Sequence, residues 1–176
     1  SDLHGIYRHH GIGFDLWPRP RTEGVKLRKL RGAFFSDDLG SSVVVARHLP
    51  NEQRVFTMAH ELKHYLVDRN EGVLRCDSTN VADEVEIGAE VFAAELIFPD
   101  DAVCAWLGNL GVRKGACKAE DLVHLKQRSK TSLSYAGLVK KVDWLGFASK
   151  GDFIGIKWKI LETSLYGEPA YKRFRR

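Results

Sequence analysis

The sequence predicts an α+β fold: a small N-terminal antiparallel sheet, a buried helix near residue 60, and a helical C-terminal half. Three patterns carry this expectation. Short segments before residue 47 alternate or run apolar in the manner of strands. Residues 55–66 and 81–97 repeat apolar positions at helical spacing. Two further helical segments, 118–128 and 132–145, resemble a helix-turn-helix pair. The 176 residues, 44% hydrophobic and 28% charged, suit a globular chain long enough for a real core.

In chain order, Leu3–His10 reads as a short helix stopped by Gly11. Ile12–Trp17 alternates as a strand, and Pro18 and Pro20 end it. Arg31–Ser36 and Ser42–Ala46 form a second pair of strands around the turn Asp37-Asp38-Leu39-Gly40. The run Val43-Val44-Val45 predicts a strand covered on both faces. Pro50-Asn51-Glu52 opens a helix whose stripe is Val55, Met58, Ala59, Leu62 and Leu66, and Asp68–Gly72 breaks it. A second strong helix runs from Val81 to Ile97 and stops before Pro99; a third spans Asp101–Leu110, up to Gly111. Phe153–Ile160 alternates as a strand, and the last residues form a basic tail. The expected organisation is a core at 1–117, a helical subdomain at 118–146 and a C-terminal extension at 147–176. The chain begins Ser1-Asp2 rather than with methionine, which leaves room for upstream sequence.

Composition narrows the function. The longest apolar runs fall far short of the ~20 residues a membrane span needs. Cys76, Cys104 and Cys117 are odd in number, widely spaced and without a CxxC, so they predict no disulfide framework and favour the cytoplasm. The net charge of +4 is uneven. Basic residues gather at Arg19, Arg21, Lys26, Arg28, Lys29 and Arg31 and again at Lys172–Arg176, while acidic residues gather over Asp83–Asp101. Such clusters are more often solvated faces than nucleic-acid footprints.

The chemistry centres on His60-Glu61-Leu62-Lys63-His64. Residues i and i+4 of a helix share a face, so His60 and His64 can hold one metal ion between their imidazoles. Glu61, one step round the helix, can act as a general base without being a ligand. HExxH arises by chance in roughly one chain in 60 of this composition, so a third ligand decides its meaning. A catalytic zinc site uses three protein ligands. In the helix after Val81, Glu86 shares a face with Ala89, Glu90 and Ala93, whose small side chains permit close approach to another helix; Glu84 lies about 160° away. Glu86 is therefore the leading third ligand, with Glu90 second and Asp83 third. The competing reading makes all of them surface carboxylates.

Arg54-Val55-Phe56-Thr57-Met58-Ala59 followed by HExxH resembles the R-x-F-T-x-A-H-E-x-x-H core of the ImmA/IrrE family of metallopeptidases. Glu86–Pro99 is similar to that family's E-x-x-A-N-x-F-A-A-x-L-L-M-P segment, with Glu90 in place of the usual Asn. The likeness covers roughly residues 10–145, and the short, ImmA-like form is the closer comparison. It implies a zincin-like metallopeptidase domain, with metal ligands His60, His64 and Glu86, base Glu61, and zinc as the ion; manganese or iron suits the same donors. It also implies a substrate, a helix-turn-helix (XRE-type) repressor cut to relieve repression in stress or mobile-element induction. His48, Tyr65 and His124 are candidates for stabilising the oxyanion, and the strand Ser42–Ala46 for receiving an extended peptide. One rival is a DNA- or repressor-binding regulator with a structural or vestigial metal site, using Lys126, Arg128, Lys130, Lys140 and Lys141. Another is a non-peptidase metal hydrolase.

Overall fold

The computed structural model describes residues 2–18, 30–68, 74–76 and 84–168. Most of the first basic cluster, Asp83, the expected helical turn at 81–83 and the basic tail lie outside the described residues. The chain divides into two compact units, residues 1–97 and 98–176, so packing places a boundary after Ile97 where the sequence suggests one after residue 117.

In the first unit, helix α1 (Leu3–His9) is capped by the Asp2 carboxylate, which accepts the Gly5 N–H at 3.0 Å. Gly11, at φ 66°, then turns the chain into strand β1 (Gly13–Trp17). Strands β2 (Gly32–Asp37) and β3 (Gly40–Ala46) form the expected hairpin about Asp38-Leu39. A short β4 (Leu74–Cys76) completes a sheet of order β1-β3-β2-β4. The sheet is mixed rather than purely antiparallel, because β1 pairs with β3 in parallel. The long β1–β2 connection allows this: β2 folds back on β3 while β1 takes the other side, a pairing a tight hairpin could not make.

Rows of the sheet set the core. Phe14 lies opposite Val43, and Val43 opposite Phe34, placing these side chains on one face with Leu16 and Val45. Phe34, Val43 and Val45 are fully buried beneath helix α2 (Asn51–Lys63), with Met58, Ala59 and Leu62 packing down from the helix. Each large apolar side chain so removed from water contributes about 1.5–3 kcal/mol. The Tyr7 hydroxyl donates to the Met58 carbonyl at 2.7 Å and fastens α1 to the same helix. After Lys63 the helix widens into a π-helical turn, His64–Asp68. Helix α3 (Glu84–Ile97) packs along α2 through Glu86, Ala89 and Ala93, the small-residue face the sequence selects.

The second unit is helical. Helices α4 (Asp100–Asn109), α5 (Ala119–Ser129) and α6 (Tyr135–Trp144) bury Val103, Leu107, Leu122, Leu125, Leu138 and Val142. The segment expected to be a strand at Phe153–Ile160 instead turns and enters helix α7 (Trp158–Tyr166). Gly155, at φ 78°, breaks the extended backbone that alternation suggested. Trp158 stacks on Tyr135 with ring centroids 4.7 Å apart, and the His124 Nδ1 and Tyr166 hydroxyl lie 2.7 Å apart, so α7 is an integral part of this unit.

Candidate metal centre

Helix α2 presents His60 and Glu61 toward the core side of the first unit, and the π-helical turn begins at His64. All three are buried, Glu61 and His64 completely. Glu86, also buried, reaches them from α3. The His60 Nε2 lies 3.0 Å from Glu86 Oε2 and 3.2 Å from His64 Nε2, and His64 Nε2 lies 3.6 Å from Glu86 Oε1. These three residues form the one group among the described residues whose donor atoms converge enough to hold a metal ion. Two ligand atoms bound tetrahedrally to zinc at about 2.0–2.1 Å stand about 3.3 Å apart. The 3.2 Å between the two imidazole nitrogens lies near that spacing and Glu86 brings a carboxylate oxygen within 3.0–3.6 Å of each, so the donor set fits the ion.

Charge supports the same fit. Among the described residues of this unit, Glu61, Glu86 and Asp68 are the buried carboxylates, and the Lys63 ammonium, with its side chain only 12% exposed, is set against them. A divalent cation would place positive charge beside these buried carboxylates, where burial makes it most effective. A protonated His64 is a poor substitute. Burial holds the His64 imidazole below its ordinary value; the Asp68 hydrogen bond opposes this and the neighbouring His60 reinforces it.

The surroundings orient these groups. His64 Nδ1 is 2.8 Å from Asp68 Oδ2, and an Nδ1–H donated there leaves Nε2 as the free lone pair. Asp68 was legible only as a helix breaker, although its i+4 spacing from His64 was a usable signal. Glu61 lies against Gly32 of β2: a Cβ on Gly32 would stand 2.5 Å from Glu61 Oε1 and 2.5 Å from Thr57 Cγ2. Tyr7 is close enough for the Glu61 charge to add to burial in pushing its phenol well above the ordinary range, so the phenol stays a donor to Met58.

Other expected residues fall elsewhere. Glu90 is half-buried and outside the converging group, and Glu84 is exposed. Tyr65 directs its hydroxyl to the His10 carbonyl at 3.4 Å. His48 lines a depression with Trp17, Pro18, Arg31 and Val44, and His124 belongs to the second unit. Strand β3 cannot receive an added peptide strand, because β1 and β2 occupy both its edges. Two lysines expected on a nucleic-acid surface are buried. Lys126 donates to the Leu133 and Thr131 carbonyls at 2.7 and 3.3 Å, and Lys141 pairs with Asp100.

An α+β unit with a buried HExxH helix and a carboxylate delivered from the next long helix defines a zincin-like, metallopeptidase-type domain. Residues 21–108 match the peptidase M78 family, described as the IrrE N-terminal-like domain, and the chain belongs to that family. A search of curated proteins gives no match. No helix among the described residues is long and apolar enough to cross a membrane.

Proposed function

We propose that this chain is a zinc-dependent endopeptidase in which His60, His64 and Glu86 hold the ion and Glu61 is the catalytic base. The observation that carries this reading is the convergence of two imidazole nitrogens and one carboxylate beside a buried glutamate, in a chain of a metallopeptidase family. When bound, the ion supplies a Lewis acid and makes water acidic enough to ionise near neutral pH. The chain's own residues do the rest. His60 and His64 offer Nε2, with Asp68 fixing the His64 tautomer. The Glu61 carboxylate takes a proton from the attacking water and returns it to the departing amine nitrogen, so the peptide bond is hydrolysed with no net proton change.

For the substrate, the family likeness supports a helix-turn-helix repressor of the XRE type, cut in the cytoplasm to relieve repression in stress or mobile-element induction. Manganese or iron is compatible with the same donors. The test is incubation of the protein with the repressor encoded beside its gene, with and without chelator, read by mass spectrometry. Site-specific cleavage that chelator abolishes is expected. Glu61→Gln should retain metal and fold while losing at least about 100-fold in rate; cleavage at the wild-type rate by that variant would refute the assignment.

A further inference from the structure

Lys63 stands inside HExxH, next to His64, yet its ammonium is drawn inward. Its Nζ donates to both oxygens of Asp68, at 3.0 and 2.7 Å, and to the Val85 carbonyl at 3.1 Å. The stem crosses α3 over Gly88, where a Cβ would stand 3.6 Å from Lys63 Cε and Nζ. Asp68 is the residue that meets His64 Nδ1, and Val85 directly precedes Glu86 in the first turn of α3. One ammonium thus joins the π-helical turn that orients one candidate ligand to the backbone that delivers another.

The chemistry of this arrangement is specific. A carboxylate that accepts from an imidazole fixes ring orientation and raises the basicity of the opposite nitrogen. Lys63 meets both oxygens of the buried Asp68 through two charge-assisted hydrogen bonds, which hold that carboxylate against His64. The third bond, to Val85, adds what a simple counter-ion would not: it ties the separation of α2 and α3 to the position of Asp68.

We propose that Lys63 is a positioning residue that sets metal affinity without touching the ion, acting through Asp68 on His64 and through the Val85 carbonyl on Glu86. The inference rests on reading His60, His64 and Glu86 as a metal centre. It predicts that the site is preorganised, so that removing Lys63 makes the ion itself assemble the ligands and weakens its binding.

The test uses the full chain stripped of metal and titrated with zinc against a competing fluorescent chelator. Lys63→Met should weaken zinc binding about 10- to 100-fold, the range seen when groups supporting metal ligands are removed. The cobalt(II)-substituted protein should show an altered visible spectrum, a change that a purely structural role would not produce. Because Lys63→Met leaves the buried Asp68 without its ammonium partner, the neutral pair Lys63→Gln/Asp68→Asn removes both groups together and guards against misfolding. That pair should also lose at least about tenfold in affinity and no more than the poorer of its two single variants, as expected when two residues act as one unit. Wild-type zinc affinity in Lys63→Met or in the neutral pair overturns the proposal, as do additive losses. No substrate is needed, so tight zinc binding that depends on Lys63 upholds the clamp even if no peptide is cut. A wild-type chain that binds no divalent ion defeats the metal reading itself.

Discussion

Gly32 offers a sharp test of how closely the sheet controls the proposed base. The residue lies in β2 opposite Val45, at a position whose side-chain direction points to α2. An alanine Cβ there would approach Glu61 Oε1 and Thr57 Cγ2 to 2.5 Å each, about 0.9 Å inside ordinary contact at 3.4 Å. The Glu61 terminus is the softer of the two obstacles, since it can rotate where the β-branched Thr57 cannot easily do so. The carboxylate should therefore move by about 1 Å, and a misplacement of that size at a reacting group costs up to ~100-fold. The nearest atoms in the collision belong to Glu61 and Thr57 rather than to His60, His64 or Glu86, so metal binding should persist. The assay pairs steady-state cleavage with elemental analysis of the purified variant: kcat should fall about 10- to 100-fold at unchanged metal stoichiometry. Adding Thr57→Ser removes the methyl collision but not the carboxylate one, so the double variant should remain impaired. Restored activity in the double variant, or full activity in Gly32→Ala, would refute the argument that Gly32 makes room for Glu61.

The remaining expectations are simpler. His64→Ala should lose the metal, and unchanged stoichiometry by elemental analysis would remove His64 from the ligand set. Burial keeps the His64 imidazole below its ordinary pKa of 6.5 in the folded chain, so between the two values the unfolded chain binds the additional proton. Metal-free protein should therefore be most stable above about pH 6.5 and lose melting temperature as the pH falls through the folded value. A melting temperature that rises toward acid, or the same slope in His64→Ala, would contradict that sign. Burial, reinforced by Asp121, pushes the Cys117 thiol up to about 12, so it should resist alkylation at neutral pH in the native protein and react once unfolded. Mass mapping of iodoacetamide adducts checks this, and rapid native labelling of Cys117 would refute it.

What could be read in the sequence was whatever depends on local periodicity. The helical spacing of His60, His64 and Met58, and the alanine face that carries Glu86, are set within single elements, and they converge because small residues let α2 and α3 approach. Pairing between distant elements was not legible. The parallel partnership of β1 with β3 depends on the long connection between β1 and β2, not on either strand's alternation, and it places β3 in the interior of the sheet. Gly155 outweighed an alternating pattern, since left-handed backbone cannot continue a strand. Charged residues misled for a different reason: Lys126 and Lys141 share helix faces with the buried Leu122 and Leu138, and the fold brings carbonyls and Asp100 to their ammonium groups.

Lys63 combines both difficulties, and it changes how the HExxH motif should be understood in this chain. The motif's two variable positions are commonly treated as helix surface or core filler. Here Leu62 is core filler, whereas Lys63 carries a charge whose partners come from beyond the end of the α-helix and from the next helix. The π-helical turn keeps Asp68 within hydrogen-bond reach of His64 and of Lys63 together. A straightened or shortened turn would leave the HExxH residues intact while releasing Asp68 from the imidazole. Metal affinity in this chain should therefore follow the integrity of the turn at His64–Asp68 as closely as the motif itself.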